Sequence, residues 1–262
     1  MRVRASCELE LHLAVATPLI LMLRPQSGVS QWISSEEYTF SHPVSVVEYS
    51  DIFGNLCQRL VAPAVEFKIN TSAIVETADV IDQFPGAPFV NVQDLPEQVL
   101  AYLVPTRYCE SDRLGAAAKK IVSGARLGYD QVDTITSWIR DNFPFTPGSS
   151  DVPLSAVEVQ KQGYGVCRDL AHLGIAYCRS ISIPARMVVG YLYGLEPMDL
   201  HAWFEAYVGN RWYTFDSSQE ELKGGRVAIA YGRDAADCSI FHQFGPLPTY
   251  NAMRVSVDLM SN

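Results

Sequence analysis

The first hundred residues alternate apolar and polar side chains with the period of two that is typical of half-buried β-strands. In residues 7–13 every second side chain is apolar, and Glu8, Glu10 and His12 occupy the positions between them. β-branched and aromatic residues then recur in the segments 37–41, 44–49, 56–61, 65–69 and 71–77. Residues 51–55, Asp-Ile-Phe-Gly-Asn, carry a turn signal that predicts a hairpin between two of these segments. We therefore predict an all-β, sandwich-like domain over residues 1–105.

After a proline-rich stretch that ends near residue 105, apolar residues recur at the spacing of three and four that indicates helices. Two helices are predicted within residues 111–143. Residues 155–158, Ser-Ala-Val-Glu, have the form of a capping box that opens a third helix, and a fourth is predicted over residues 167–180. Strand patterns return at 185–192, 201–208, 211–215, 227–231 and 253–259. The predicted fold class is α+β, with helices packed on an antiparallel sheet in a second domain over residues 106–262.

The composition is that of an ordinary globular protein with an acidic balance of charge. Of 262 residues, 48% are hydrophobic and 19% are charged, and the net charge is −9. A protein with this charge repels nucleic acid and anionic membranes, and we predict neither as a partner. The apolar run 13–23 is interrupted by Pro18, follows acidic residues and is too short for a membrane helix or a secretory signal. We expect a cytoplasmic protein, and nothing in the sequence indicates its oligomeric state.

The cysteines are widely separated and form no C-x-x-C pair. They are Cys7, Cys57, Cys109, Cys167, Cys178 and Cys238. This distribution favours buried free thiols in a reducing compartment over a disulfide framework or a zinc site. Neither a calcium-binding EF-hand loop nor an H-E-x-x-H motif occurs. A metal enzyme is therefore the weakest hypothesis, and we expect no metal and no cofactor.

Cys167 stands apart from the other cysteines. It follows the sequence Gly-Tyr-Gly-Val at residues 163–166 and comes directly before a helical apolar pattern. The first turn of a helix has unpaired N–H groups and the positive end of the helix dipole, and both favour a thiolate. We predict that Cys167 is a nucleophile whose own main-chain N–H binds the oxyanion. Gln162 and Tyr164 are candidates for a second donor.

A catalytic thiolate needs an imidazole partner, and His201 is the histidine best placed for that role. It begins a predicted strand, and the next strand returns through the turn Gly209-Asn210 and ends before Asp216. In such a hairpin His201 and Asp216 lie at the same end, about two positions out of register, within reach of a diagonal contact. His172 lies on the cysteine helix but about 140° around its axis from the thiol, and we predict a structural role for it.

Three segments resemble the conserved blocks of the transglutaminase-like superfamily. They are Gly-Tyr-Gly-Val-Cys-Arg-Asp at 163–169, His-Ala-Trp-Phe-Glu at 201–205 and Trp-Tyr-Thr-Phe-Asp at 212–216. Residues 51–55 resemble the N-terminal domain often fused to bacterial members, and residues 232–237 resemble their C-terminal part. The resemblance implies a papain-like core in which Cys167 is the nucleophile, His201 the base and acid, and Asp216 the residue that orients the imidazole.

We therefore predict a cysteine peptidase or amidase that acts on a peptide or protein amide substrate through a thioester. Cys167 attacks the carbonyl carbon, His201 protonates the departing amine, and water releases the acyl group. If a lysine amine replaces water, the same chemistry cross-links proteins, and the sequence contains no acceptor signal that decides between them. Two other hypotheses are a member that kept the fold and lost its activity, and a non-catalytic peptide-binding module.

Other residues near these motifs receive structural predictions. Asp169 is predicted to complement the N-terminus of its helix. Trp203 and Tyr213 are predicted to be core aromatic residues, with a place in a substrate groove as the alternative. His242 is a weaker alternative to His201 as the partner of the thiol.

Overall fold

The computed structural model describes residues 1–260, and residues 1–105 of it contain six strands. They are β1 (Arg2–His12), β2 (Thr17–Leu21), β3 (Gln31–Phe40), β4 (Val47–Ser50), β5 (Leu56–Ala62) and β6 (Glu66–Thr77). The α-helices and the remaining strands are α1 (Gly115–Ile121), α2 (Tyr129–Asn142), α3 (Ala156–Gln162), α4 (Cys167–Ser180), β7 (Ala185–Leu192), β8 (His201–Val208), β9 (Arg211–Phe215), β10 (Arg226–Gly232), β11 (Phe241–Gln243) and β12 (Tyr250–Leu259). This is the predicted α+β fold class. None of the helices within residues 1–260 is long and apolar enough to cross a bilayer.

Strands β1–β6 form two four-stranded antiparallel sheets together with β11 and β12, and we call these two sheets the β region. Their strand orders are β12-β1-β6-β3 and β11-β2-β5-β4. The alternation seen in the sequence of β1 places every second side chain in the core, at most 2% exposed: Val3, Ala5, Cys7, Leu9 and Leu11. These side chains pack in one cluster with apolar residues of β2, β5 and β6. The predicted sandwich is therefore formed by two sheets that share this core.

The last strands of the chain lie in the sheets of the β region. β12 pairs antiparallel with β1 over ten residue pairs, from Val3 with Leu259 to His12 with Tyr250. β11 pairs with β2 through residues 241–243. The sequence assigned all residues after 105 to the second domain, because a local pattern shows that a segment is a strand but not which strand it pairs with. The boundary near residue 105 stays a prediction, and the two terminal strands return across it.

The second half of the chain forms a third sheet, of strand order β10-β7-β8-β9, with α4 packed on it. Eleven consecutive residues of α4 are buried, from Asp169 to Arg179, because helices α1, α2 and α3 surround its other sides. The contact with β8 is close at Gly174, where an added Cβ would lie 2.6 Å from the Phe204 ring. The predicted capping box opens α3: Glu158 N donates to Ser155 Oγ, and Ser155 N donates to the Glu158 carboxylate.

The hairpin β8–β9 sets the register of the third sheet. Gly209 and Asn210 have φ values of 57° and 63°, as a two-residue hairpin turn with a left-handed conformation at both positions requires. Phe204 consequently pairs with Phe215. Asp216 then follows the last paired residue of β9, and His201 lies two positions beyond its level on β8, as predicted.

Candidate active site

Cys167 is the first residue of α4, as its sequence context predicts. Gly163 ends α3 in the left-handed conformation, with φ 83°, and turns the chain towards the start of α4. The first residue of a helix has an N–H group without an intrahelical acceptor. Cys167 is half-buried, whereas the other five cysteines are buried, and all six are free thiols. The Cys167 sulfur is therefore partly accessible, and it lies at the helix end where the unpaired N–H groups are.

The buried carboxylate of Asp169 holds the start of α4 in place. It accepts hydrogen bonds from the main-chain N–H groups of Val166, at 3.4 Å, and Leu154, at 3.2 Å. The Ser150 hydroxyl and the Arg168 guanidinium also donate to it. The predicted role of Asp169 at the helix N-terminus is confirmed, and the same side chain ties residues 150–154 to the cysteine turn.

His201 and Asp216 form a buried ion pair. His201 Nε2 lies 2.7 Å from Asp216 Oδ2, and the two residues are 1% and 3% exposed. The other carboxylate oxygen of Asp216 accepts from the N–H and the hydroxyl of Ser218, at 3.0 and 2.7 Å. Since all of these contacts fix the carboxylate, Asp216 holds the imidazole in one orientation.

The electrostatics of this pair favour the charged form of both groups. Burial alone would raise the pKa of Asp216, but the neighbouring His201 and Arg226 cations hold it well below its usual range. Burial opposes the imidazolium, yet the Asp216 carboxylate and the Cys167 sulfur outweigh burial and raise the pKa of His201 to about 9. At neutral pH the pair is therefore an imidazolium and a carboxylate.

The second imidazole nitrogen is the one available to the thiol. His201 Nδ1 is buried and makes no hydrogen bond to another nitrogen or oxygen of residues 1–260. Cys167 is near enough to contribute to the raised pKa of the imidazole. The structure thus brings together the three predicted site residues, with His201 between Cys167 and Asp216. The catalytic roles of the three stay predictions.

The sequence reasoning missed two arginines that contact Asp216. Arg226 Nη2 lies 2.8 Å from Asp216 Oδ2, and the Arg226 side chain is 4% exposed. Its guanidinium also lies over the Trp203 ring, 5.1 Å from the centroid. Arg140 donates from Nη2 to the main-chain oxygen of Asp216 at 3.2 Å. The available signal was a cation at the start of an otherwise apolar strand, at the N-terminus of β10.

The other residues singled out in the sequence have structural positions. Trp203 and Tyr213 are buried, which supports the core assignment. The neutral His172 ring is buried, with Leu154 O at 2.8 Å from Nδ1 and Ala235 N donating to Nε2, and burial lowers its pKa to about 4. Its predicted structural role therefore fits its contacts.

The remaining candidates lie elsewhere or are already engaged. The amide of Gln162 donates to Tyr164 O at 3.1 Å. His242 lies in β11 and pairs with Ile20 of the β region. The structure therefore gives no support to His242 as an alternative to His201.

One cluster of possible metal ligands lies on the surface of the β region. Glu10, His12 and Glu66 bring three ligand atoms within 4.8 Å of one another. Lys68 already forms ion pairs with both carboxylates, at 3.4 and 2.9 Å. Because this ammonium compensates the acidic charge, we assign no metal site to the cluster.

Comparisons with known proteins show which family this chain resembles in sequence and fold. The transglutaminase-like superfamily matches residues 115–217, which include Cys167, His201 and Asp216. A proposed cysteine protease from Cytophaga hutchinsonii, known from its crystal structure, has 35% sequence identity to this chain. The two structures superpose with a TM-score of 0.90, and the match covers 100% of this chain and 92% of that chain. An uncharacterized protein of Mycobacterium leprae is 26% identical over 228 residues, 82% of this chain and 81% of that protein. The similarity to the Cytophaga protein therefore extends over the β region as well as the helices and the third sheet.

Proposed function

Because this chain belongs to the transglutaminase-like superfamily, we propose that it is a cysteine peptidase or amidase that uses Cys167, His201 and Asp216. The observation that carries the proposal is the 2.7 Å contact between His201 Nε2 and Asp216 Oδ2. It orients a buried imidazole and leaves Nδ1 for a thiol at the N-terminus of α4. A nucleophile, a base and an orienting carboxylate in this order are what acyl transfer from an amide requires.

The proposed reaction has two halves. The Cys167 thiolate attacks the amide carbonyl carbon, and the oxyanion that forms is held by the Cys167 main-chain N–H. The His201 imidazolium gives its Nδ1 proton to the leaving nitrogen, the C–N bond breaks, and a thioester and a free amine result. Water then loses a proton to His201 as it attacks the thioester. The carboxylic acid leaves, and the proton returns the site to its thiolate–imidazolium state.

We favour water over an amine as the acyl acceptor. The similar Cytophaga protein is described as a proposed cysteine protease, which supports hydrolysis in this chain as well. The peptide or protein substrate and the cytoplasmic location are further parts of this proposal. Trapping the acyl-enzyme and offering it glycine ethyl ester decides the acceptor: carboxylic acid as the main product supports hydrolysis, and exclusive transfer to the amine contradicts it.

The first test measures the rate at which iodoacetamide alkylates Cys167 as a function of pH, in the wild type and in His201→Ala. We expect fast alkylation that persists well below pH 8 in the wild type, and a loss of about tenfold or more in the variant. Peptide mass spectrometry identifies the alkylated residue. His242→Ala is the matched control, because His242 lies in another sheet.

The opposite result is equally informative. Alkylation that rises only near pH 8.5 and is the same in the wild type and His201→Ala would show an ordinary thiol. The proposed function would then be wrong, and the non-catalytic alternatives would replace it.

A further inference from the structure

Arg226 connects the catalytic residues to the β region. Its guanidinium contacts the same Asp216 oxygen that binds His201, at 2.8 Å, and Arg140 is the other cation at Asp216, through the main-chain oxygen. Cys167, His201, Asp216 and Arg226 thus form a row of groups whose charges alternate in sign when the thiol and imidazole are ionised. A buried arginine without this carboxylate would be costly, so each holds the other in place.

The strand that carries Arg226 is held from outside by the β region. β10 is an edge strand of the third sheet, so one side of its main chain has no strand partner there. Gln31 supplies that partner: its amide accepts from Ala228 N at 2.8 Å and donates to Ala228 O at 2.9 Å. The Asn55 amide likewise accepts from Tyr231 N and donates to Tyr231 O, both at 2.7 Å. Two buried side-chain amides therefore stand in for a neighbouring strand.

Two further sets of hydrogen bonds support this contact between the β region and β10, and one of them reaches the main chain of Arg226. Thr77, the last residue of β6, donates from its hydroxyl to Arg226 O at 2.7 Å. Asn55 is oriented in turn by Asp51, whose carboxylate accepts from the Asn55 amide and main-chain N–H, both at 2.9 Å. Residues 51–55 are the turn that the sequence predicted, and their ordered hydrogen bonds explain why Asp and Asn occupy its ends.

We infer that the β region is a positioning element of the catalytic centre: Gln31, Asn55 and Thr77 hold β10, and β10 places the Arg226 cation on the same Asp216 oxygen that binds His201, where its charge opposes that of the imidazolium. This inference rests on the proposed function, because it assigns the β region a role in setting the charge state of the proposed acid and base. It makes the β region part of the site without any contact to the substrate.

The first experiment replaces Arg226 and follows the titration of the His201 ring by NMR, which needs no substrate. The His201 signal is identified by its loss in His201→Gln. In Arg226→Met the like charge beside the imidazolium is gone, so we expect the titration midpoint to rise by about one pH unit. Arg226→Lys keeps the charge and should stay near the wild type. Arg186→Met is the matched control on the same sheet, because Arg186 pairs with Glu205 and not with Asp216.

The second experiment tests whether the β region acts through Arg226. Gln31→Leu should raise the His201 midpoint in the same direction as Arg226→Met, by a smaller amount, and should have no further effect in the Arg226→Met background. Gln58→Leu is the control, since Gln58 is also a buried glutamine of the β region but bonds to Glu48. It should lower the melting temperature without moving the midpoint.

The outcomes separate this inference from the proposed function. If wild-type Cys167 alkylates as an ordinary thiol, the proposed function fails whatever Arg226 does. If that alkylation is fast but neither Arg226→Met nor Gln31→Leu moves the His201 midpoint, the inference alone is overturned. Equal shifts in Gln31→Leu and Gln58→Leu would also overturn it, because they would indicate a general loosening of the β region.

Discussion

The Asp216 carboxylate contributes to stability as well as to the proposed catalysis. It accepts from Ser218 and lies against His201 and Arg226, and it is 3% exposed. Its pKa is lowered, so its contribution to stability is present above about pH 4 and is lost as the pH falls further. The pKa of His201 is raised from 6.5 to about 9, so the stabilisation from the imidazolium is complete below pH 6.5 and is lost as the pH rises through 9.

We predict that Asp216→Asn lowers the free energy of unfolding by about 3–5 kcal/mol at pH 6, because it leaves two buried cations without their anion. The difference in the free energy of unfolding between Asp216→Asn and the wild type should become smaller above pH 9, where His201 is neutral. The part of the difference that comes from the unpaired Arg226 cation should persist at high pH. Urea denaturation at pH 6 and pH 10 measures both values. Asp82→Asn, which removes an exposed partner of Arg211, is the control and should change the stability by less than about 1 kcal/mol. A pH-independent difference would contradict the assigned charge of His201.

The sequence correctly predicted where three residues of the site lie in the fold, but it did not predict that Arg226 contacts Asp216. Cys167, His201 and Asp216 lie at a helix start, a strand start and a strand end, and a hairpin of two residues determines how the last two meet. Arg226 meets Asp216 only because β10 joins the sheet beside β7, across the sheet from β9. No local pattern encodes that order, so a buried cation on an apolar strand gave no partner.

Among the elements, the contact between α4 and β8 decides whether the thiol and the imidazole meet. Gly174 lets the helix approach the sheet, because its missing side chain leaves room for Phe204, which stacks on Phe215. Cys167 begins this helix and His201 begins this strand. The separation of the two elements therefore controls the distance between the Cys167 thiol and the His201 imidazole.

Gly174→Ala should lower the free energy of unfolding by about 1–3 kcal/mol, because the added methyl group would overlap the fully buried Phe204 ring. The same displacement should slow the alkylation of Cys167 at neutral pH. Urea denaturation and iodoacetamide kinetics measure the two effects. In Gly115→Ala, the control at the start of α1, the new Cβ would meet only Ser180 O at 3.9 Å, and the protein should be as stable as the wild type or slightly more so.

The helices that border the site were predictable because their signals are local. A capping box opens α3, and α4 begins after a glycine turn, so both starts were predicted to within a residue. The close approach at Gly174 was not predictable, since a glycine inside an apolar helix pattern gives no indication of the aromatic ring that faces it.

In the whole molecule, β12 closes the first sheet beside β1. Only Val257 of β12 is buried, so the strand contributes mainly main-chain hydrogen bonds and cover for the edge of β1. Without it, β1 would expose a row of unpaired N–H and C=O groups, which invites pairing with other chains.

A chain that ends at residue 249 should have a lower melting temperature and should aggregate at concentrations where the full chain stays in solution. Differential scanning calorimetry and light scattering measure both. A chain that ends at Met260 keeps all of β12 and is the control. A truncated protein with the melting temperature of the full chain would mean that β12 adds nothing to the β region.

The pairing of β1 with β12 also has a consequence for biosynthesis. Glu8 and Arg254 form an ion pair across the two strands although 246 positions separate them in the chain. A ribosome makes β1 before the helices and the third sheet and makes β12 after them, so these elements emerge while the first sheet still has an open edge. Closing so long a loop is slow compared with local folding. Nascent chains of this protein should therefore depend on protection of β1, by a chaperone or by the ribosome surface, until residue 259 has emerged.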